Sequence, residues 1–299
     1  MTEQTHARLN LSATLASVGV AIVLSLAKLW ALGETGSLAV AASLADSGLD
    51  LMMSLAGLAA VIYAARPPDE DHAFGHTSAE DLAALGQSLF ILISATVIAV
   101  AAVLRLLSGN TTHIAAEGRG IAVMVLSIVL TLGLVIWQRR VMIRTGSRVV
   151  EADRLHYLGD LVPAIGAIFS LWAAAKFGLT QIDAIVALAA AGMLAFGALR
   201  IGSAAWDALM DRAADPALIA EISDMVRTWP GVDGFHDLKT RRAGSRVFVT
   251  LHVELNGDLP LYDAHAIGAA LRQRIMDTYP STDVMIHKDP TGDPGPDIR

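Results

Sequence analysis

Six stretches of this chain, roughly 11–32, 37–64, 79–107, 119–137, 149–177 and 182–206, are apolar for long enough to cross about 30 Å of hydrocarbon. A segment in lipid must satisfy its own backbone polar groups, so runs of this kind are restricted to helices. The composition agrees: of 299 residues 54% are hydrophobic and 17% charged, and the mean hydropathy of +0.52 is too high for an ordinary soluble domain. Six spans put both termini on one side. Loops on that side carry Arg8, Arg66, Arg139, Arg140, Arg144 and Arg148, whereas the opposite loops have only Arg105, Arg119 and Lys176 near their edges, which predicts cytoplasmic termini. The N-terminal residues MTEQTHARLN are polar and lack a cleavable signal pattern. Small residues such as Gly48, Ser54 and Gly57 in the second span are expected to let helices approach closely, and Pro163 is expected to kink the fifth.

After about residue 211 the composition becomes that of a small soluble domain. The pattern predicts a helix near 215–228, strands near 232–240 and 245–255 joined through Ala243-Gly244-Ser245, a helix near 261–278 and a strand near 282–288. The expected fold class is a polytopic α-helical membrane protein of six transmembrane helices with a C-terminal α+β domain of order αββαβ, an open sheet with its helices on one face. The domains are expected at 1–210, 211–290 and, as a disordered Pro/Gly-rich tail, 291–299.

A net charge of −7 argues against nucleic acid. Cysteine is absent, so a bound metal must be held by carboxylate, imidazole or water. Inside the apolar runs stand two pairs spaced i, i+4: Asp46 with Asp50, and His156 with Asp160. That spacing puts each pair on one helix face. Ionisable groups at membrane depth cost a few kcal/mol each and persist where they line a cavity or bind something. Three carboxylates and an imidazole suit tetrahedral Zn²⁺, with Fe²⁺, Co²⁺, Cd²⁺ and Mn²⁺ left open.

A second candidate set, Asp69, His72 and His76, lies in the flexible-looking loop between the second and third spans. There Ala73 takes the place of the general base in a protease-type H-E-x-x-H, which disfavours hydrolysis. A third comprises His236, His252, His265, His287 and Asp289 of the soluble domain; adjacent strands are expected to bring His236, His252 and the His287-Lys288-Asp289 segment to one edge, with one carboxylate bridging two ions. Of nine histidines only His6 and His113 fall outside the three sets.

These segments together resemble the cation diffusion facilitator family, and within it the bacterial YiiP-type (ferrous-iron/zinc efflux) transporters. The resemblance rests on A-S-L-A-D-S-G-L-D, D-H-A-F-G-H, V-V-E-A-D-R-L-H-Y-L-G-D, F-H-D-L-K-T-R, L-H-V-E-L, D-A-H-A-I and I-H-K-D-P. It implies a homodimer with a metallochaperone-like cytoplasmic domain, in the bacterial inner membrane, exchanging Zn²⁺ for protons. Asp46, Asp50, His156 and Asp160 would form the transport site, Asp69, His72 and His76 a loop site, and the soluble set a regulatory binuclear Zn²⁺ site at the dimer interface. One departure stands out. Where close members have Gly-His-Gly-Lys-Ala-Glu, this chain reads Gly75-His76-Thr77-Ser78-Ala79-Glu80. The missing lysine serves an inter-subunit charge interlock whose acidic partner matches Asp211. Asp211 is therefore expected to pair with Arg212 or Arg242 or to leave the interlock absent, with a looser dimer junction.

The leading expectation is proton-coupled efflux by alternating access, since metal and protons compete for the same ligands. The rivals are an intramembrane metalloenzyme, which needs a base or nucleophile beside an open coordination position, and a metal sensor without transport.

Overall fold

The computed structural model describes residues 3–35, 38–108, 118–177 and 182–292. Six long helices come first: α1 Glu3–Thr35, α2 Leu38–Ala64, α3 Ser78–Ser108, α4 Gly118–Thr145, α5 Arg148–Phe177 and α6 Ile182–Leu209. Helix α7 (Pro216–Arg227), strands β1 (Gly234–Ala243) and β2 (Arg246–Leu255), helix α8 (Leu261–Thr278) and strand β3 (Thr282–Pro290) follow. The chain divides into two compact units, one spanning His6–Trp206 and the other holding Asp207 onward with the first five residues.

Among the described residues α1, α2, α3, α4 and α6 are long and apolar enough to cross a membrane. Helix α5, expected as the fifth span, opens with a polar half carrying Arg148, Glu151, Asp153, Arg154 and Asp160, and most side chains of its apolar second half lie outside the described residues. Its packing explains how such a helix is accommodated. Val149, Ala152 and Leu155 of α5 meet Val61 of α2, Ala84 and Ile91 of α3, and Leu194 and Ala198 of α6. Val150 meets Ala13 of α1 and Val141 of α4, and Tyr157 meets Leu134 and Val135 of α4. The polar helix is thus the one the others surround, while Leu26, Trp30, Ile93, Leu104 and Phe196 on the outer helices are exposed as lipid-facing residues should be. At Gly197 of α6 any Cβ would lie 2.8 Å from a methyl of Leu155, so a glycine is what lets α6 approach α5 this closely.

Helix α4 runs eight residues beyond the expected 137, since Gln138, Arg139, Arg140 and Met142 continue to favour a helix after the apolar run ends. Gly146, at φ 68°, stops it with its N–H on Met142 O. The Ser147 hydroxyl then accepts from Val150 N and caps α5. Helix α1 also begins earlier than the apolar run, at Glu3.

In the second unit Asp215 accepts from Ala217 N and Pro216 opens α7. The sheet order is β1-β2-β3, with β1 and β2 antiparallel through a tight turn at Gly244-Ser245, where Gly244 has φ 55°, and β2 and β3 parallel across α8. Val247, Val249, Leu251, Val253 and Leu255 alternate inward on β2 and, with Val284, form one core with Ile222 and Val226 of α7 and Leu271 and Ile275 of α8. Both helices therefore lie on one face, and the other carries Thr250, His252, Glu254, His287 and Asp289. Asp211 does not take the partner expected: its carboxylate accepts from Arg241 at 3.0 Å, while Arg212 turns to Asp207. Arg241 is favoured because it also lies 4.4 Å over the Phe248 ring. Residues 293–299 of the expected tail lie outside the described residues.

Candidate metal centres

The first centre is built by α2 and α5. Asp50 Oδ1 stands 2.9 Å from His156 Nε2, and ligand atoms of Asp50, His156 and Asp160 all lie within 4.8 Å of one another. Ligands at about 2.1 Å on a tetrahedral ion are about 3.4 Å apart, so small side-chain movements would close these three around one cation. The Asp50 and His156 side chains are each 11% exposed, and the Phe90 and Tyr157 rings flank the imidazole at 6.0 and 5.6 Å. Asp46 lies one turn before Asp50 on α2, but its side chain, like that of Pro163, is outside the described residues.

Sequence reasoning overlooked the polar support behind these ligands. Asp153, one turn before His156 and 2% exposed, accepts from Gln138 Nε2 of α4 at 2.7 Å. Tyr157, fully buried beside His156, donates to Ser17 O at 3.2 Å and shares a bond with the Ser54 hydroxyl at 3.0 Å, which meets Ser17 Oγ at 2.9 Å. The signal was present, since Ser54 is i+4 from Asp50 and Asp153 is i−3 from His156, but both pass for ordinary helix-packing groups. Removing the phenol oxygen alone, in Tyr157→Phe, is expected to cost about 0.5–1.5 kcal/mol, because Ser17 and Ser54 keep each other. Thermal unfolding in detergent measures it, and no change in midpoint would show that this cluster does not hold α5 to α1 and α2.

The second centre is the loop between α2 and α3. Asp69 Oδ1 accepts from Asp71 N and His72 N, and faces His72 Nδ1 at 3.1 Å; its Oδ2 is 3.3 Å from His76 Nε2. His76 is 5% exposed and packs edge-on to the Tyr63 ring at 4.7 Å. The loop is closed by Asp69 N and Gly75 N on His72 O, with Gly75 at φ 84°, so it is a held turn rather than the flexible loop expected. One carboxylate and two imidazoles on one point fit a borderline divalent ion with water completing the shell.

The His72 backbone N–H, chief among several contacts, holds the Asp69 carboxyl below the usual carboxylate range. A carboxylate so depressed favours the folded turn above its unfolded pKa, and that contribution is lost as pH falls through the lower folded value. The His72 amide is therefore expected to stay protected from hydrogen exchange at pH 5 and to lose protection only below about pH 4. Loss of protection already at pH 6 would contradict this.

The third centre crosses the open sheet face. His236 on β1 pairs with His252 on β2, and His252 with His287 on β3, so three imidazoles form a row across all three strands, with ring centroids 5.1 and 4.7 Å apart. The sequence placed them on an edge; register places them on a face. The register shifts between His236 and Lys239, with Asp237 at φ 52°, and this bulge is what aligns His236 with His252. Asp289 Oδ2 lies 2.8 Å from His252 Nδ1 and 3.5 Å from His236 Nε2, while Oδ1 lies 3.1 Å from His287 Nε2. One carboxylate thus faces imidazoles with both oxygens, the geometry of a bridge between two ions. Glu254, unassigned from sequence, meets His236 Nδ1 at 3.0 Å, where it would fix the ring's tautomer. His265 is not brought to this row: it is exposed on α8, the helix packed on the opposite face.

The model of the cation efflux transmembrane domain matches residues 14–210, and that of the cation efflux protein cytoplasmic domain matches residues 214–291. The cation-efflux pump FieF of Serratia proteamaculans is 41% identical over 288 residues, 96% of this chain and 95% of that protein. FieF of Salmonella arizonae is 40% identical over 287 residues, with the same shares. Among solved structures, the Zn form of CzrB is 32% identical and covers 28% of this chain and 97% of its own, at a TM-score of 0.26.

Proposed function

The chain belongs to the cation efflux family, whose members are membrane transporters rather than enzymes, and from that premise we propose that it exports Zn²⁺ in exchange for protons through the Asp50–His156–Asp160 cluster. The carrying observation is that carboxylate and imidazole atoms 2.9 Å apart converge from two helices inside an apolar bundle. At that separation the pair holds one proton between oxygen and nitrogen, or opens around one dication. A ligand must be deprotonated to bind metal, so the two occupants exclude each other, and the exclusion couples their fluxes. Asp46 supplies a fourth ligand from α2, one turn away.

Alternating access follows from where the ligands sit. Asp50 is on α2, whereas His156 and Asp160 are on α5, so a rocking of α5 against α2 makes or breaks the cluster. Zn²⁺ is the favoured cargo because three carboxylates and an imidazole suit a tetrahedral borderline ion; Fe²⁺, Cd²⁺ and Co²⁺ are candidate alternatives. The inner membrane, with both termini cytoplasmic, is the setting that the loop arginines favour. The second unit serves as the cytoplasmic domain of a homodimer, where the histidine row with Asp289 holds regulatory Zn²⁺, and His265 joins only if contributed across the dimer.

The test is flux into proteoliposomes under an imposed pH gradient, with Zn²⁺, Fe²⁺, Cd²⁺ and Co²⁺ in competition. The account expects Zn²⁺ uptake that alkalinises the lumen in fixed proportion, as protons leave in exchange, and that reverses with the gradient. Uptake indifferent to the gradient would remove the proton coupling, and the absence of uptake would remove transport.

A further inference from the structure

Gln87 of α3 is 4% exposed, and neither its amide nitrogen nor its carbonyl oxygen has a hydrogen-bond partner among the described residues. The neighbours that pack around it are apolar. Ala84 and Ile91 lie one turn before and after it on α3, and they belong to one buried cluster with Val61 of α2 and Val149 and Ala152 of α5. A Cβ on Gly57 of α2 would sit 3.0 Å from Gln87 Nε2 and 3.4 Å from a Val149 methyl, so the carboxamide occupies the junction of α2, α3 and α5, in room left by a glycine.

The position of that junction is informative. Gly57 lies seven residues after Asp50, and Val149 seven before His156, both toward the end of the bundle where α2 finishes and α3 and α5 begin. Gln87 is therefore about 10 Å from the metal ligands along the helix axes. Another seven residues back on the same face of α3 is Glu80, 7% exposed, bonded by Ser147 Oγ and Asn10 Nδ2, with the partly buried Asp81–Arg148 ion pair beside it. Buried polar groups thus recur about every two turns from the loop end to Asp50 and His156.

A side chain whose role was packing would be better served here by leucine or methionine, which carry no donors or acceptors to strand. Resting on the transport reading above, we propose that Gln87 is a polar waypoint on the route of the divalent cation between the loop end of the bundle and the Asp50–His156–Asp160 cluster. Its carbonyl oxygen accepts from the ion's water shell, or replaces one water, while Val61, Val149 and Ala152 close the passage around it when no ion passes. It is a positioning residue that shapes passage, and it adds nothing to the affinity of the cluster itself.

Because the chain has no native cysteine, single-cysteine variants report access cleanly. In the full-length protein reconstituted in vesicles, Q87C is expected to react with a charged, water-soluble thiol reagent about ten-fold or more faster than A13C, a control in the equally buried α1–α4–α5 cluster, and Zn²⁺ should slow it. Gln87→Leu should lower Zn²⁺ flux about ten-fold or more with zinc stoichiometry unchanged, and Gln87→Asn, which keeps the carboxamide, should recover part of it. Flux of Gln87→Leu within about two-fold of wild type, or Q87C no more reactive than A13C, overturns the waypoint. A wild-type protein without zinc flux would instead sink the transport reading, so the two failures are distinct.

Discussion

Asp50→Ala and His156→Ala are each expected to reduce Zn²⁺ flux in proteoliposomes by about 100-fold or more, at unchanged expression and dimer content. Substitutions behind a metal site already cost about 10–100-fold, and these two side chains are the proposed ligands themselves. Asp50 Oδ1 and His156 Nε2 face each other at 2.9 Å, so removing either takes away one of the four proposed ligands and the shared proton that metal would displace. The two variants should differ in stability. His156→Ala strands the Asp50 carboxylate in a nearly dry site, whereas Asp50→Ala leaves an imidazole that can be neutral at little cost. His156→Ala is therefore the less thermostable, by an amount that Asp50→Asn in the same background recovers. Transport at the wild-type rate in either single variant would show that the cargo binds elsewhere.

The second large effect belongs to Asp289. In a full-length background already lacking Asp50, His156 and Asp69, the sheet face is expected to bind two Zn²⁺ per chain. Asp289→Ala should remove both ions, and His287→Ala only one. The asymmetry follows from geometry: one oxygen of Asp289 faces His252 and His236, and the other faces His287. Removing the carboxylate deprives both positions, while His287 serves only the Oδ1 side. His236→Ala together with His287→Ala should abolish binding as well. Equilibrium dialysis decides it, and equal loss in the Asp289 and His287 single variants would mean the carboxylate is not a bridge. With its transport ligands intact, Asp289→Ala should still move Zn²⁺ if, as proposed, the sheet row regulates and does not carry.

Much of this was readable in the chain because it depends on local periodicity. An i, i+4 pair of ionisable residues inside an apolar run puts both on one helix face, and of the four residues so marked Asp50, His156 and Asp160 bring ligand atoms within 4.8 Å of one another. The alternation from Val247 to Leu255 likewise fixed which face of β2 is buried and left His252 on the other. What escaped depends on contacts between distant segments. Register decided that the histidines form a row across a face, and the bulge beyond His236 has no sequence signature of its own. The Gln138–Asp153 and Ser17–Ser54–Tyr157 bonds link helices whose packing no single segment reveals. Arg241 was missed as the partner of Asp211, where Arg212 or Arg242 was expected, because the aromatic seat on Phe248 that favours it lies on another strand. Helix α4 outlasted its hydropathy because helical propensity and membrane burial end at different residues.

The central claim is that Asp50, His156 and Asp160 close around the transported ion. Zinc-edge X-ray absorption on the full-length protein, with the loop and sheet ligands replaced, addresses it most directly. The account predicts one Zn²⁺ per chain with a single imidazole at about 2.0 Å and carboxylate oxygens filling the remaining positions, lost on acidification and absent in His156→Ala. Zinc bound without an imidazole in its shell, or an unchanged spectrum in His156→Ala, would contradict it.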